Sequence, residues 1–345
     1  MNSTMVTNHF YMKLFILLLS FGLFSCSSTE GAKGEMGSAR NDLYGDNRSP
    51  QNGMRSDNAQ AAFASAVQAQ ERGDLDRALY YYIQALQFDP ENVDLLIRIA
   101  HIHEQRGNKS IATRAYLEAV KIEAVGNEPT LILAYQGLGI IEMENRKYKQ
   151  AQDYLQRALL LDQTRLSEQG SKNETGYYAL DKKSPIQSYT VAGVIEDMHS
   201  NFDLARIYYN LALDIDPDSA NILSNIGYSY YLTGNLKLAE SYFRRAINSD
   251  PLFTRAWTNL GLLYVRKGQY NRAIKTFKQV MSEFDAYNDL GYFVMLDGRL
   301  DEAEYFFKKA IDMSPRYFAK AYANLEQVQV KKRELWLLGQ EAQGK

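Results

Sequence analysis

Small, aromatic and aliphatic residues recur at fixed spacings along this chain from about residue 59 onward. In the clearest stretch, Ala78 is followed by Tyr82, Ala85 and Pro90, and a small residue, Ala66, precedes Ala78 by twelve positions. Spacings of three, four and seven place side chains on one face of a helix. A proline after that pattern ends the helix and begins a turn. The pattern therefore predicts pairs of amphipathic helices that approach each other closely at small residues.

This helix pair is repeated along the chain. The five positions recur as Gly193, Ala205, Tyr209, Ala212 and Pro217, as Gly227, Ala239, Phe243, Ala246 and Pro251, and as Gly291, Ala303, Phe307, Ala310 and Pro315. The alanines give the period, because Ala112 follows Ala78 at the same interval at which Ala239 follows Ala205 and Ala273 follows Ala239.

A helix–turn–helix unit of this pattern, with a period of about 34 residues, resembles the tetratricopeptide repeat (TPR). The resemblance covers nearly all of residues 59–320 and implies an all-α fold, a TPR α-solenoid of about seven repeats with a capping helix at its end. We place repeats 1–3 within 59–165 and repeats 4–7 within 186–317. Their bounds are 59–92, 93–126, 132–165, 186–219, 220–253, 254–283 and 284–317.

Two interruptions break the period. About twenty residues are inserted at 166–185, which we call the insert; we expect disorder there, with Tyr177 and Tyr178 favouring the alternative of a functional loop. Ala303 follows Ala273 four positions earlier than the period requires, and Phe284 to Tyr287 replace the usual proline turn. Residues 318–345 follow as an amphipathic capping helix, from 318 to about 338, and a tail.

The N-terminal residues have the layout of a secretory signal peptide. Lys13 precedes an apolar run of about eleven residues, too short for the roughly 20 of a membrane-spanning helix, and small residues follow it. The segment Leu23-Phe24-Ser25-Cys26 resembles the lipobox of bacterial lipoproteins. The resemblance implies cleavage after residue 25 and lipidation of Cys26, including an acyl chain such as palmitate. The alternative is an incidental cysteine in an ordinary secretory signal.

Two further expectations concern this end of the chain. The residues before Met12 add nothing to a signal peptide, so Met12 is a candidate start. Ser27 stands where lipoproteins retained in the inner membrane carry Asp, so the resemblance implies an outer-membrane anchor that faces the periplasm. Residues 26–58 are rich in Gly, Ser, Asn and Asp, and we predict a lipidated, disordered tether there.

Composition and motifs argue against several classes of function. Lys plus Arg total 39 and Asp plus Glu total 41, without the basic block of a nucleic-acid binder. No metal-ligand spacing, phosphate loop or nucleophile motif occurs, and we expect no cofactor, no metal and no small-molecule substrate. His103 occupies a position where these repeats usually place a core tyrosine, so we expect it to be packed rather than a ligand.

In TPR proteins the first helices line a concave groove that holds a peptide or a partner helix, and the resemblance assigns groove positions here. We take as partner-binding residues Tyr228, Tyr231, Arg255, Leu262, Arg266, Tyr292 and Met295. Tyr, Met and Arg are enriched at protein interfaces. The alternative is that some of the tyrosines complete the core between helices. Thr258 and Leu262 stand where a clamp for acidic C-termini needs polar or basic groups, so a hydrophobic segment or a helix is the expected ligand.

The resulting expectation is a non-enzymatic protein-interaction scaffold on the periplasmic side of the outer membrane. We expect it to assist assembly of an envelope machine such as a pilus or secretion system, and it resembles the lipoproteins of tight-adherence (Flp) pilus assembly. One alternative is an adaptor that delivers peptidoglycan hydrolases or a protease to substrates. A remote alternative is an enzyme whose site lies in the insert.

Overall fold

A computed structural model describes Leu43 and residues 56–122, 130–168 and 170–343. Every helix or strand assigned from residue 56 onward within these ranges is an α-helix, which confirms the predicted all-α repeat fold. The predicted signal peptide and most of the predicted tether lie outside the described residues. The chain divides into two compact units, of which one ends at Ile215 and the other begins at Asp216.

The described helices follow one another in antiparallel pairs. The N-terminal unit contains α1 (Ala59–Glu71), α2 (Leu75–Phe88), α3 (Val93–Gln105), α4 (Lys109–Ile122), α5 (Leu131–Glu144), α6 (Tyr148–Leu166), α7 (Ile186–Met198) and α8 (Phe202–Ile215). The C-terminal unit contains α9 (Ala220–Leu232), α10 (Leu236–Ser249), α11 (Thr254–Arg266), α12 (Tyr270–Phe277), α13 (Glu283–Leu296), α14 (Leu300–Met313) and α15 (Ala319–Gln343). Within each unit, the second helix of a pair also contacts the first helix of the next pair.

From the third pair to the seventh, the two helices of a pair approach each other where a glycine faces a ring or a leucine sixteen positions later. A Cβ atom added at Gly193 would lie 2.5 Å from the Tyr209 ring, and one added at Gly227 would lie 2.7 Å from the Phe243 ring. Such distances are shorter than van der Waals contact, so any larger residue would push the helices apart. The predicted close approach at small residues is therefore present in the structure.

The turn between the two helices of a pair has one conformation throughout. The fifteenth position of each repeat has a positive φ and ends the first helix; these residues are Gly73, Gly107, Arg146, Ser200, Gly234, Gly268 and Gly298. In the second repeat the Gly107 N–H bonds to the Glu104 carbonyl and the next N–H bonds to the His103 carbonyl. This is the Schellman pattern, which uses a left-handed residue to satisfy the last carbonyls of a helix.

The sixth repeat is shortened inside its second helix. Helix α12 has eight residues, whereas the second helices on either side, α10 and α14, have 14. Phe284 to Tyr287 lie inside α13, whose first turn is capped by the Ser282 hydroxyl accepting from Asp285 N at 3.2 Å. The prediction that these four residues form a turn is therefore wrong, because the serine cap starts the helix before them.

The insert is ordered wherever the structure describes it, contrary to our expectation of disorder. Asp181 accepts two hydrogen bonds from the Arg165 guanidinium, at 2.7 and 2.9 Å, and Arg165 also donates to buried Asp162 at 2.6 Å. The bond from Arg165 is the main reason that the pKa of Asp181 falls to about 2. The ring of Tyr177 packs edge-on against that of Tyr208, with centroids 5.6 Å apart. The insert is thus tied to its neighbouring helices by an ion pair and an aromatic contact.

Helix α15 continues past the position where each repeat has its turn, as the predicted capping helix does, and it ends at Gln343, slightly beyond the predicted end. An eighth repeat in the same register would place its left-handed residue at Lys332, but Lys332 is helical. Its ammonium instead contacts Asp301 at 2.6 Å and Glu304 at 2.7 Å, near the start of α14. Beyond Lys332 the side chains of Leu335 and Trp336 are 61% and 62% exposed. Helix α15 is therefore the first helix of a repeat whose second helix is absent from the described chain.

Leu43 is the one residue of the predicted tether before Ser56 that the structure describes. It is buried and belongs to the hydrophobic core cluster of the first repeats. At this residue the structure departs from the prediction of a disordered tether.

The left-handed turn residues generate a stability prediction. Arg146 and Ser200 hold φ values of 62° and 65°. This left-handed conformation costs an L-residue about 1–2 kcal/mol. A glycine avoids that cost but loses more conformational entropy on folding, which offsets part of the gain. Because both side chains are exposed, Arg146→Gly and Ser200→Gly should each raise the free energy of unfolding by roughly 0.5–1 kcal/mol. Urea denaturation followed by circular dichroism measures the change.

Arg146→Ala is the matched control, since it removes the same side chain but keeps the strained backbone. We expect no gain from it. A gain from Arg146→Ala equal to that from Arg146→Gly would assign the effect to the side chain and contradict the backbone explanation.

Candidate partner-binding face

The first helices of the C-terminal unit form one continuous face. Helix α9 contacts α11, α11 contacts α13, and α13 contacts α15, in addition to the contacts within each pair. We call the surface formed by these four helices the first-helix face. These helices carry all seven residues that the sequence assigned to a partner-binding groove.

Two of those residues, Tyr228 and Tyr231, are core residues. Tyr231 has no exposed surface, and its ring stacks on that of Tyr228 with centroids 5.6 Å apart. The Arg266 guanidinium lies 4.8 Å above the Tyr231 ring and donates to the Tyr231 carbonyl at 2.5 Å. The alternative that tyrosines complete the core is correct for this pair, and the assignment of both to an open groove is wrong.

The other predicted residues divide by burial. Leu262 and Met295 are buried, so as side chains they stabilise the repeats rather than meet a partner. Arg255, Arg266 and Tyr292 keep part of their surface exposed. Arg255 donates to Asn221 of the preceding repeat, and the Tyr292 ring packs edge-on against Phe293 at 6.0 Å. Partly exposed Tyr292 is therefore the predicted aromatic residue that a partner can reach without rearrangement.

Sequence reasoning missed a line of buried polar residues that crosses this face. The polar row, as we call it, consists of Ser224, Asn225, Asn259, Asn288 and Asn324. Asn259 Nδ2 donates to Ser224 Oγ at 3.2 Å, and Asn324 Nδ2 donates to Asn288 Oδ1 at 3.0 Å. Each bond links first helices of successive repeats. A signal was present in the sequence, because Asn225 and Asn259 both lie two residues before the glycine that faces the aromatic ring.

One acceptor of the polar row lacks a donor. The Oδ1 atom of Asn259 is buried and has no hydrogen-bond partner among the described residues. A buried acceptor left without a donor costs about 1–3 kcal/mol, and such an atom in a native fold calls for an explanation such as a ligand or a water. A water would satisfy it, as would a backbone N–H of a bound segment once the side chains that bury the atom have moved.

Charges on the exposed edge of the same face are paired between repeats. Lys320 of α15 donates to Asp289 of α13 at 3.0 Å, and Arg255 of α11 donates to Asn221 of α9. Thr258, at a position where an acidic clamp needs a polar or basic group, donates back to the carbonyl of Thr254. The donors on this edge are therefore already committed to the fold, which favours an uncharged ligand over an acidic one.

A glutamate fixes the position of α11 against its neighbour. Glu240 of α10 accepts from Lys267 at 2.7 Å, from Tyr264 at 2.8 Å and from Arg244 at 3.1 Å. Burial alone would raise the pKa of Glu240, but these hydrogen bonds lower it to about 2. The carboxylate therefore stays ionised at physiological pH and holds the helix that carries Asn259.

The described residues contain neither a metal-binding cluster nor a membrane-spanning helix. In residues 56–122, 130–168 and 170–343 no group of His, Cys, Asp and Glu side chains has a metal-binding arrangement. None of the helices described there is both long and apolar enough to cross a membrane. Cys26 lies outside the described residues.

Family models and solved structures give consistent matches. Models described as tetratricopeptide repeat match residues 132–165, 220–251 and 284–317 and, in a second form, 242–275. A TPR protein from Parabacteroides merdae has a similar fold, with a TM-score of 0.51 and 16% identity over 79% of this chain and 98% of that one. The Cut9–Hcn1 hetero-tetramer contains a chain with a TM-score of 0.50 and 14% identity, over 76% of this chain and 48% of that chain.

The match to a curated relative covers less than half of this chain. The human cell division cycle protein 16 homolog is 26% identical over 152 residues, which is 43% of this chain. The match spans about a fifth of that relative, 21% of its length.

The burial of Tyr231 can be tested directly. Tyr231→Ala should lower the free energy of unfolding by about 3–5 kcal/mol, because it removes a fully buried aromatic ring from the core. Ser241→Ala, on an exposed residue of the paired helix α10, should change it by no more than about 0.5 kcal/mol. Urea denaturation of both variants provides the comparison. Equal, small effects would restore Tyr231 as a groove residue.

Proposed function

Since this chain carries tetratricopeptide repeats, we propose that it is a non-enzymatic scaffold that holds a segment of another protein on its first-helix face. The TPR fold is generally one that binds proteins or peptides rather than one that catalyses reactions. The bound segment would be an extended peptide or a helix, with uncharged or hydrophobic side chains. Nucleic acid and small-molecule substrates are not part of the proposal.

The observation that carries the proposal is the unsatisfied Asn259 Oδ1 in the polar row. Side-chain amides offer both a donor and an acceptor, so a row of them matches the alternating N–H and C=O groups of a peptide backbone. Asn225 and Asn259 occupy equivalent positions one repeat apart on adjacent helices. Backbone recognition of this kind would place the ligand without requiring a charge on it.

Specificity would come from the residues around the row. Tyr292 supplies an aromatic surface beside it, and partly exposed Arg266, which lies over the Tyr231 ring, supplies a flat cation at the other edge. The paired Lys320 and Arg255 argue against a clamp for an acidic C-terminus. A neutral segment with an aromatic or aliphatic side chain is the ligand that fits.

The proposed location is the outer membrane, on the periplasmic side, through a lipid on Cys26. The support is the signal sequence, its lipobox-like end and Ser27. Several acyl chains would be needed for stable anchoring, since one chain gives only marginal binding. A scaffold held there would assist assembly of an envelope machine such as a pilus or secretion system. The second candidate is an adaptor that brings peptidoglycan hydrolases or a protease to substrates.

An enzyme centred on the insert is not favoured. Among the described residues of that loop, Asp181 and Ser184 accept hydrogen bonds from Arg165, at 2.7 and 3.2 Å. Those contacts give both side chains a structural role.

The anchor is tested by one substitution. Cys26→Ser should abolish metabolic labelling with a fatty-acid analogue and should release the chain from the membrane fraction, because the thioether cannot form on a hydroxyl. Immunoblotting of membrane and soluble fractions measures the release. Undiminished membrane retention without label would show that something other than a lipid holds the protein.

The ligand face is tested by crosslinking in cells. A photo-crosslinking residue at Thr258 or at Tyr292, both partly exposed on the first-helix face, should give protein adducts identified by mass spectrometry. Leu252, which is 87% exposed in the turn before α11, is the control position and should give few.

The adducts also separate the two functions. Pilus or secretion components would support the assembly scaffold, whereas hydrolases or a protease would support the adaptor. Adducts at Leu252 equal to those at Thr258 and Tyr292 would count against the first-helix face.

A further inference from the structure

Leu43 contacts residues that lie far from it in the sequence. It lies well before Ser56, where the continuously described part of the chain begins. Its side chain is 2% exposed and belongs to the core cluster of the N-terminal unit. Burial to this degree places the leucine among the apolar side chains of the repeats, and such burial is favourable.

The backbone carbonyl of Leu43 also has a hydrogen-bond partner in the repeats. The ring of His103, on α3, is fully buried, and its Nε2–H donates to the Leu43 carbonyl at 2.6 Å. The other ring nitrogen, Nδ1, accepts from Asn108 Nδ2 at 3.4 Å. A buried carbonyl outside a helix needs a donor, and His103 supplies it. The side chain and the carbonyl of Leu43 therefore each meet a complementary group.

We propose that Leu43 and His103 form a clasp, by which the N-terminal segment docks onto the second repeat. The clasp joins residues 60 positions apart. The tyrosine that sits at this repeat position in α9 and α11 could not act in the same way, because its hydroxyl would lie further out. The bond to Leu43 thus explains why this repeat carries histidine where others carry tyrosine.

The clasp sets how far the repeats can lie from a lipid anchor, a consequence that rests on the proposed lipidation of Cys26. The chain from Cys26 to Leu43 is about half as long as the chain from Cys26 to Ala59, where the first repeat begins. At about 3.3 Å per residue, the maximum reach is roughly 55 Å with the clasp closed and roughly 110 Å with it open. Release of one leucine would therefore double the distance at which the scaffold can meet a partner.

Acid should weaken the clasp. Burial lowers the pKa of His103 from its ordinary 6.5, and the positive charges of Arg106 and Arg114 lower it further. The hydrogen bond to the Leu43 carbonyl acts in the opposite direction. Arg106 follows α3 and Arg114 lies on α4, so both elements around the ring present positive charge. A protonated ring would also turn Nδ1 into a donor facing the Asn108 amide. Because the open form binds the proton more readily, docking is at full strength above about pH 6.5 and declines as the pH falls.

Limited proteolysis of the purified full-length chain tests the clasp. Trypsin can cut after Arg40 and Arg48, which flank Leu43, and after Lys33, which serves as an internal reference nearer the N-terminus. Leu43→Asp should accelerate cleavage after Arg40 and Arg48 by about tenfold or more relative to Lys33, since only the open state is cut. Leu160→Asp makes the same change at an exposed position and should have no effect.

The histidine is tested separately. His103→Val removes the donor and should accelerate the same cleavages, whereas His103→Gln keeps a donor and should preserve protection. His101→Val, at an exposed position on the same helix, is the control. In the wild type, cleavage after Arg40 relative to Lys33 should increase between about pH 7.5 and pH 5.5, and this increase should be absent in His103→Gln.

Leu43→Asp decides the outcome even if a histidine variant unfolds, because Leu43 lies outside the repeats. Cleavage no faster in Leu43→Asp than in Leu160→Asp would overturn the clasp. The lipid anchor is tested by fractionation of Cys26→Ser, so failure of one proposal is distinguishable from failure of the other.

Discussion

The fold depends on one contact that recurs from the third repeat to the seventh, a glycine of the first helix against a large side chain of the second, sixteen positions later. It joins Gly139 to Leu155 in the third pair and Gly291 to Phe307 in the seventh, and the glycines leave no room for a further carbon atom. The contact sets the distance and register of the two helices in a pair. The left-handed turn connects the two helices in the same way in each pair, so the repeats are structurally similar units.

Links between repeats depend on a second set of side chains, which are polar. Asn259 reaches Ser224, Asn324 reaches Asn288, and Arg266 reaches the Tyr231 carbonyl, each about one repeat back along the chain. These residues belong to the first-helix face, on which we propose that a partner binds. The same side chains therefore fix the spacing of the first helices and border the surface that a partner would use.

The sequence was sufficient to predict the features that repeat. The helix pairs, their period and the close approach at glycine follow from local spacing, which a single repeat already contains. It was not sufficient where the outcome depends on a neighbouring repeat. Tyr231 was assigned to the groove from its helix position, but Arg266 of the next repeat covers it. The insert was expected to be disordered because nothing within it reveals that Arg165 would bind Asp181. Leu43 could not be foreseen, since its partner lies 60 positions away.

The helical Lys332 has a consequence for how such an array can change in length. The regular pairs give way to a single helix where a turn is missing. An array of this kind can gain or lose units at its end by a change in a single turn residue and the segment after it. The extent of the binding surface can thus change while the packing inside the existing pairs is kept.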